Sequence, residues 1–153
     1  MDEFAPPSQQ ERDAARDTLL AWLDALVENP VVAAVVEDTE TDVERWFVRV
    51  NGEAKDVYSV WFELGQRTLA YETYVMPAPE ENEAEFYEQL LTRNDGLREL
   101  AFTIGAEHAV FLKGRLDLRH LNEEALDRIL GSIYAAIELC FQPALRIGFA
   151  SRY

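Results

Sequence analysis

Chemistry at a protein site needs groups that can ionise, attack or hold a metal, and this chain places few of them to do so. Its only imidazole and thiol groups are His108, His120 and Cys140. A zinc site draws several such ligands at fixed spacing, and no two of these stand at i,i+4 or as Cys-x-x-Cys. Nucleophilic catalysis wants a base beside its nucleophile. His108 is expected at a hairpin tip and His120 just ahead of a helix, and both read as surface residues. Cys140 lies in an apolar run, residues 137–141, where a buried and inert thiol is expected. With 29 Asp and Glu, carboxylate pairs arise by chance and single out no acid–base couple. The acidic stretch 37–42 lacks the glycine and closing glutamate of a calcium loop. No nucleophile elbow, phosphate-cradling glycine loop or dinucleotide fingerprint occurs. The expectation is a chain without catalytic, cofactor or metal residues, whose function lies in its surface.

Charge says what that surface avoids. The chain has 14 basic and 29 acidic residues, a net charge of −15, and a sequence pI near 4.4. Residues 1–97 hold 22 acids and 7 bases, whereas residues 98–153 hold 7 of each. Such a field repels phosphate backbones and anionic lipid, so neither nucleic acid nor a membrane surface is an expected partner. It favours solubility and would attract a basic protein segment. No apolar run approaches the roughly 20 residues that span a bilayer. The start, Met1-Asp2-Glu3-Phe4, is acidic where a secretory signal is basic. A cytoplasmic protein is expected.

The elements follow from periodicity. At 153 residues the chain suits a single domain, large enough to bury a core without a disulfide or metal. Residues 1–8 read as a tail and 9–153 as the domain. Ala15, Leu19, Trp22, Leu23 and Leu26 recur at helical spacing up to Glu28, and Asn29-Pro30 stops that helix. Residues 31–36 are a β-branched run, four valines around two alanines, without alternation, and fit either a strand or an extended connection. Strands are expected over 45–50, 57–64 and 67–75, the first ending at Asn51-Gly52 and the last two joined by a two-residue turn at Gly65-Gln66. A second helix, 80–94, carries Phe86, Tyr87, Leu90 and Leu91 on one stripe and stops at Asn94-Asp95-Gly96. Strands 97–104 and 109–116 form a second hairpin. Asn122 caps a third helix through Leu126, Ile129, Leu130, Ile133, Tyr134 and Ile137, limited by Pro143 and followed by a short apolar tail. The reading is α+β, in the order α-β-β-β-α-β-β-α, with a mostly antiparallel sheet and the helices packed on one face.

Alternation then divides the strands. Trp46, Val48 and Val50 share one face, and Arg45, Phe47 and Arg49 the other. Tyr58, Val60, Phe62 and Leu64 read as core, opposite Val57, Ser59, Trp61 and Glu63. Val110, Leu112 and Leu116 oppose Phe111, Lys113 and Arg115. Each strand therefore puts an aromatic among polar neighbours on the side away from the helices. Aromatics and arginines are what protein-binding surfaces are enriched in, which makes Arg45, Phe47, Arg49, Trp61, Phe111 and Arg115 the candidate interface residues. The same aromatics could instead shield their neighbours, and a dimer interface would use the same residues.

The helix end Leu90-Leu91-Thr92-Arg93-Asn94 is followed by Leu100-Ala101-Phe102-Thr103-Ile104. Next come Phe111-Leu112-Lys113-Gly114-Arg115-Leu116-Asp117-Leu118 and Leu126-Asp127-Arg128-Ile129-Leu130-Gly131. This succession resembles the YbjN family, described as bacterial sensory transduction regulators. The resemblance covers roughly residues 20–145 and is most specific over 86–131. It implies a fold similar to type III secretion chaperones, which are small, acidic, usually dimeric proteins that hold a client segment without ATP. The resemblance thus implies a homodimer and a protein client, whose identity the residues do not reveal. Arginine outnumbers lysine 12 to 2, in keeping with a GC-rich bacterial genome. A small-ligand sensor, with a pocket between the sheet and the first or third helix, is the alternative.

Overall fold

A computed structural model describes residues 5–153, so residues 1–4 of the expected tail lie outside the described residues. Helix α1, Gln9–Ala25, starts at a capping box. The Ser8 hydroxyl accepts from the Glu11 amide at 3.1 Å, and the Glu11 carboxylate accepts from the Ser8 amide at 2.9 Å. Its buried face is Ala15, Leu19, Trp22 and Leu23, and a 3-10 turn, Leu26–Glu28, ends it before Pro30. Residues 31–36, open to two readings in the sequence, supply a strand. β1 is Val32–Glu37, hydrogen-bonded antiparallel to β2, Glu44–Asn51. Strands β3, Val57–Leu64, and β4, Thr68–Met76, complete a meander. After α2, Glu83–Asn94, come β5, Ala101–Ile104, β6, Val110–Asp117, and α3, Glu123–Gly148. The described residues thus form three α-helices and one six-stranded antiparallel sheet, ordered β1-β2-β3-β4-β6-β5. The α+β class and antiparallel sheet are as the sequence indicated, with four strands rather than three ahead of α2.

Several boundaries differ, each for a local reason. The β3–β4 turn has three residues, 65–67, closed by the Gly65 amide on the Thr68 carbonyl at 2.9 Å. Helix α2 starts at Glu83 because Asn82 is left-handed, with φ 52°. Residues 97–100 are not strand. Glu99 takes φ 62°, and its carbonyl accepts a 2.7 Å hydrogen bond from the Tyr71 hydroxyl. Pro143 does not limit the last helix, since α3 runs through it to Gly148. A proline inside a helix removes one backbone bond and crowds the preceding turn. Here burial continues beyond it, through Ala144, Gly148 and then Phe149. The end of α3 also finds donors in the segment ahead of α2. The Glu80 and Glu81 amides bond the Gly148 carbonyl, and the Asn82 side chain bonds that of Ile147.

Strand alternation produces a one-sided core. Trp46, Val48, Val50, Tyr58, Val60, Phe62, Leu69, Tyr71 and Leu112 are buried, as are the facing residues of α1 and α3. Phe62 sits near its centre, edge-on to Trp22 of α1 at 5.5 Å and tilted against Tyr71 at 6.2 Å. Each such aromatic contact adds about 0.5–1.5 kcal/mol beyond area burial.

Three polar or steric braces tie the layers together. The Asp127 carboxylate of α3 accepts from the Trp22 indole at 2.8 Å. The Asn94 amide, at the end of α2, holds both backbone groups of Phe102, at 2.7 and 3.1 Å. Because β5 is an edge strand, that side chain supplies the pairing a neighbouring strand would otherwise give. Gly114 of β6 leaves room for the Glu99 carbonyl, which a Cβ placed there would overlap.

Asn94→Ala leaves the Phe102 amide and carbonyl without that partner, so we expect a loss of about 1–3 kcal/mol. It should appear as a lower urea midpoint with unchanged slope, and Asn94→Asp, which keeps only the acceptor, should fall between.

Candidate functional site

The helices cover one side of the sheet and leave the other uncovered, and the strand register sets what that side displays. Phe47 of β2 is paired with Trp61 of β3, Trp61 with Glu72 of β4, and Glu72 with Lys113 of β6. Tyr74 is paired with Phe111, with rings edge-to-face at 5.6 Å. Arg45 lies opposite Glu63, Ala70 opposite Arg115, and Thr103 of β5 opposite Phe111. All six sequence-derived candidates, Arg45, Phe47, Arg49, Trp61, Phe111 and Arg115, therefore stand on this one face. Phe47, Trp61 and Phe111 are half-buried, while Arg49 and Arg115 are exposed.

Side-chain contacts divide the candidates into two groups. Arg45 is engaged: it pairs with Glu63 at 2.6 Å and Asp38 at 3.6 Å, and its guanidinium lies 4.9 Å from the centroid of the Trp61 ring. It thus steadies Trp61 by a cation–π contact. Arg49, Lys113 and Arg115 form no ion pair among the described residues. Between β3 and β6 the face sinks into a hollow of about 330 Å³, lined by Trp61, Ala70, Glu72, Thr103, Lys113 and Arg115. Burial pushes the Glu72 carboxyl up, while Lys113 and Arg45 pull it down and Glu63 adds to the rise.

Reading three strands missed part of this face. Ala70, Glu72 and Tyr74 alternate on β4, and the same period-two argument would have placed them beside Trp61. Lys55 carried no sequence signal at all. It lies between β2 and β3, in a loop that Glu138 of α3 holds by accepting the Glu53 and Ala54 amides at 2.9 and 3.0 Å. The Lys55 ammonium donates to the Tyr74 and Val75 carbonyls, both at 2.8 Å, and sits over the Tyr74 and Phe141 rings. Burial pushes its pKa down to about 8.

Elsewhere, His108 and His120 are exposed, and no group of three or more metal-capable side chains occurs among the described residues. Cys140 is buried, and burial pushes its thiol up while Arg93 pulls it down. It lines an open groove of about 620 Å³ between α2 and α3, together with Gln89, Arg93 and Leu139. No helix among the described residues is long and apolar enough to cross a membrane.

Fold and site together define an α+β domain with helices on one face of an antiparallel sheet and a mixed aromatic and cationic surface on the other. Residues 15–145 match the model of the YbjN family, "Putative bacterial sensory transduction regulator", and the chain belongs to that family. It is 30% identical over 107 residues to an uncharacterized protein of Mycobacterium leprae, a match covering 70% of this chain and 58% of the relative. An uncharacterized protein of Mycobacterium tuberculosis is 29% identical over 104 residues, covering 68% and 57% of the two chains. A Mycobacterium bovis relative matches to the same extent. The match thus spans under two thirds of these relatives' length. The family motifs now have structural meanings. Asn94 braces the sheet edge, Asp127 anchors Trp22, and Gly114 admits the Glu99 carbonyl.

The chain has only two lysines, Lys55 and Lys113, which makes Lys55 directly observable. With the amines labelled as ¹³C-dimethyl groups, an NMR resonance that titrates near pH 8 should be present in the native protein and missing from Lys55→Met, which separates it from the α-amine. Between about 8 and the ordinary 10.5 the unfolded chain binds the extra proton, so this group's contribution to stability rises with pH across that window. Lys55→Met should remove the rise, as read by urea midpoints at pH 7.5 and 9.5.

Proposed function

We propose that this chain is a non-enzymatic, cytoplasmic regulatory domain that binds a protein client on the open face of its sheet. It works in a chaperone-like manner, without ATP, and as a homodimer. The observation that carries this reading is the uncovered face itself. Four aromatics stand there as two cross-strand pairs, Phe47 with Trp61 and Tyr74 with Phe111, with Arg49, Lys113 and Arg115 on the same face. A sheet face meant only for water would show polar residues at these positions, and aromatic–arginine clusters are where binding energy concentrates at protein interfaces. The family's description as regulators supports a binding role over a catalytic one.

Dimerisation has its best support at the other end of the sheet. There Leu91 and Ile104, 68% and 54% exposed, flank an apolar notch of about 270 Å³ formed by Tyr87, Leu90, Phe102 and Val110. Exposed apolar surface of this kind marks association sites. The small-ligand reading draws on the α2–α3 groove, which is larger than any hollow between the sheet and the first or third helix among those described.

Two results test the proposal. Trp61→Ala should stay folded and lose at least about tenfold in capture of crosslinked partners from the native lysate, in line with hot-spot truncations costing about 2 kcal/mol or more. Capture of the same proteins at undiminished yield would overturn the open face as the client site. Light scattering should give twice the chain mass for the native protein and the monomer mass for Leu91→Glu, whereas a monomeric native protein would end the dimer reading.

A further inference from the structure

The open face differs in charge from the chain that carries it. Away from the corner where Asp117 meets Arg119, it holds Arg45, Arg49, Lys113 and Arg115 against Glu63, Glu72 and the neighbouring Asp38. With Asp117, on the same face of β6 as Arg115, the tally is four cations to four anions, where the whole chain has 14 bases to 29 acids. Two of the anions, Glu63 and Asp38, are paired with Arg45, whereas Glu72 faces Lys113 across the strands without an ion pair among the described residues. Arg49 and Arg115 are exposed cations with no ion pair among the described residues.

Two of the cations stand at a recess of mixed character. The hollow between β3 and β6 has the Trp61 ring and the small side chains of Ala70 and Thr103 in its lining, with Lys113, Arg115 and one carboxylate, Glu72, beside them. Arg45 already stacks on Trp61, so this wall is formed before any partner arrives. A preformed pocket saves the ordering cost that binding otherwise carries.

We propose that this hollow docks an extended segment of a partner protein in which apolar and acidic residues alternate, one apolar side chain entering beside Trp61 and the flanking carboxylates meeting Lys113 and Arg115. The inference rests on the open face being the client site and names the chemistry of the client. Net charge alone points to a basic partner, and local geometry reverses that. At physiological ionic strength charges more than about 8 Å apart are largely screened, so the acids of the helical side act weakly at the hollow. The two cations of the hollow, against the single carboxylate of Glu72, act at contact distance. A lysine or arginine in the same place would meet Lys113 and Arg115 as like charges, and such juxtaposition suppresses the wrong partner.

Two fluorescein-labelled 12-residue peptides test this by anisotropy. Both carry Leu and Phe at alternate positions, one with Glu and Asp between them and the other with Lys and Arg. The acidic peptide should bind the native protein at least tenfold more tightly than the basic one. Trp61→Ala should weaken it, and the exposed-site double variant K113E/R115E should reverse the preference while keeping the native circular dichroism spectrum. Tighter binding of the basic peptide, lost in Trp61→Ala, would overturn the acidic assignment and leave the open face as the client site. Binding of the acidic peptide untouched by either variant would place it elsewhere and overturn the proposal, as would no binding of either peptide.

Discussion

Ten buried residues of α3 lie along one side of the molecule, from Ala125 to Gly148, and they need an apolar surface of comparable length to pack on. The sheet supplies it by presenting every second residue of its strands to that side. With α1 and α2 added there, no α-helix among the described residues is left for the opposite face. One-sided cover is therefore the constraint from which the rest follows. It fixes Phe62 among Trp22 and Tyr71 at the centre, and it obliges the alternate residues, Trp61 among them, to meet solvent or a partner. Register matters for the same reason: a slip of one residue in β3 would exchange Phe62 for Trp61.

A structure covered on one side has exposed edges and long connections to control, and its specific polar contacts are spent there. Asn94 satisfies the outer backbone groups of β5. The left-handed Glu99 turns the chain so that its carbonyl reaches Tyr71, over a strand position where glycine leaves space. Glu138 gathers the β2–β3 loop onto α3 and brings Lys55 under Phe141 and Tyr74. Residues that look like a family signature thus prove to be fasteners of the sheet.

Charge is segregated on the same plan. Acids crowd the first 97 residues, and several lie in the first turns of α1 and α2, where the helix dipole favours them. The sheet's open face keeps unpaired arginines around its aromatics instead. An acidic chain can in this way stay soluble while offering one surface of different character. Composition cannot reveal that, because it averages over both sides.

Much of the architecture was legible in the sequence, since helical stripes and strand alternation depend on residues a few positions apart. The core faces of β2, β3 and β6 and the one-sided helix cover are patterns of this kind. The six candidate residues could be assigned to one face for the same reason. Tertiary contact decided the remainder. Residues 31–36 have no alternation and became a strand because β2 offered an open edge. The helix crosses Pro143 because apolar burial beyond it outweighs one lost hydrogen bond. Arg45 differs from Arg49 only through Glu63, Asp38 and Trp61, and the hollow beside Trp61 exists only once β4 and β6 lie side by side. Sequence determines which way a side chain points from its own strand. Which groups it then meets depends on pairings between segments distant in the chain, and only the folded sheet brings those together.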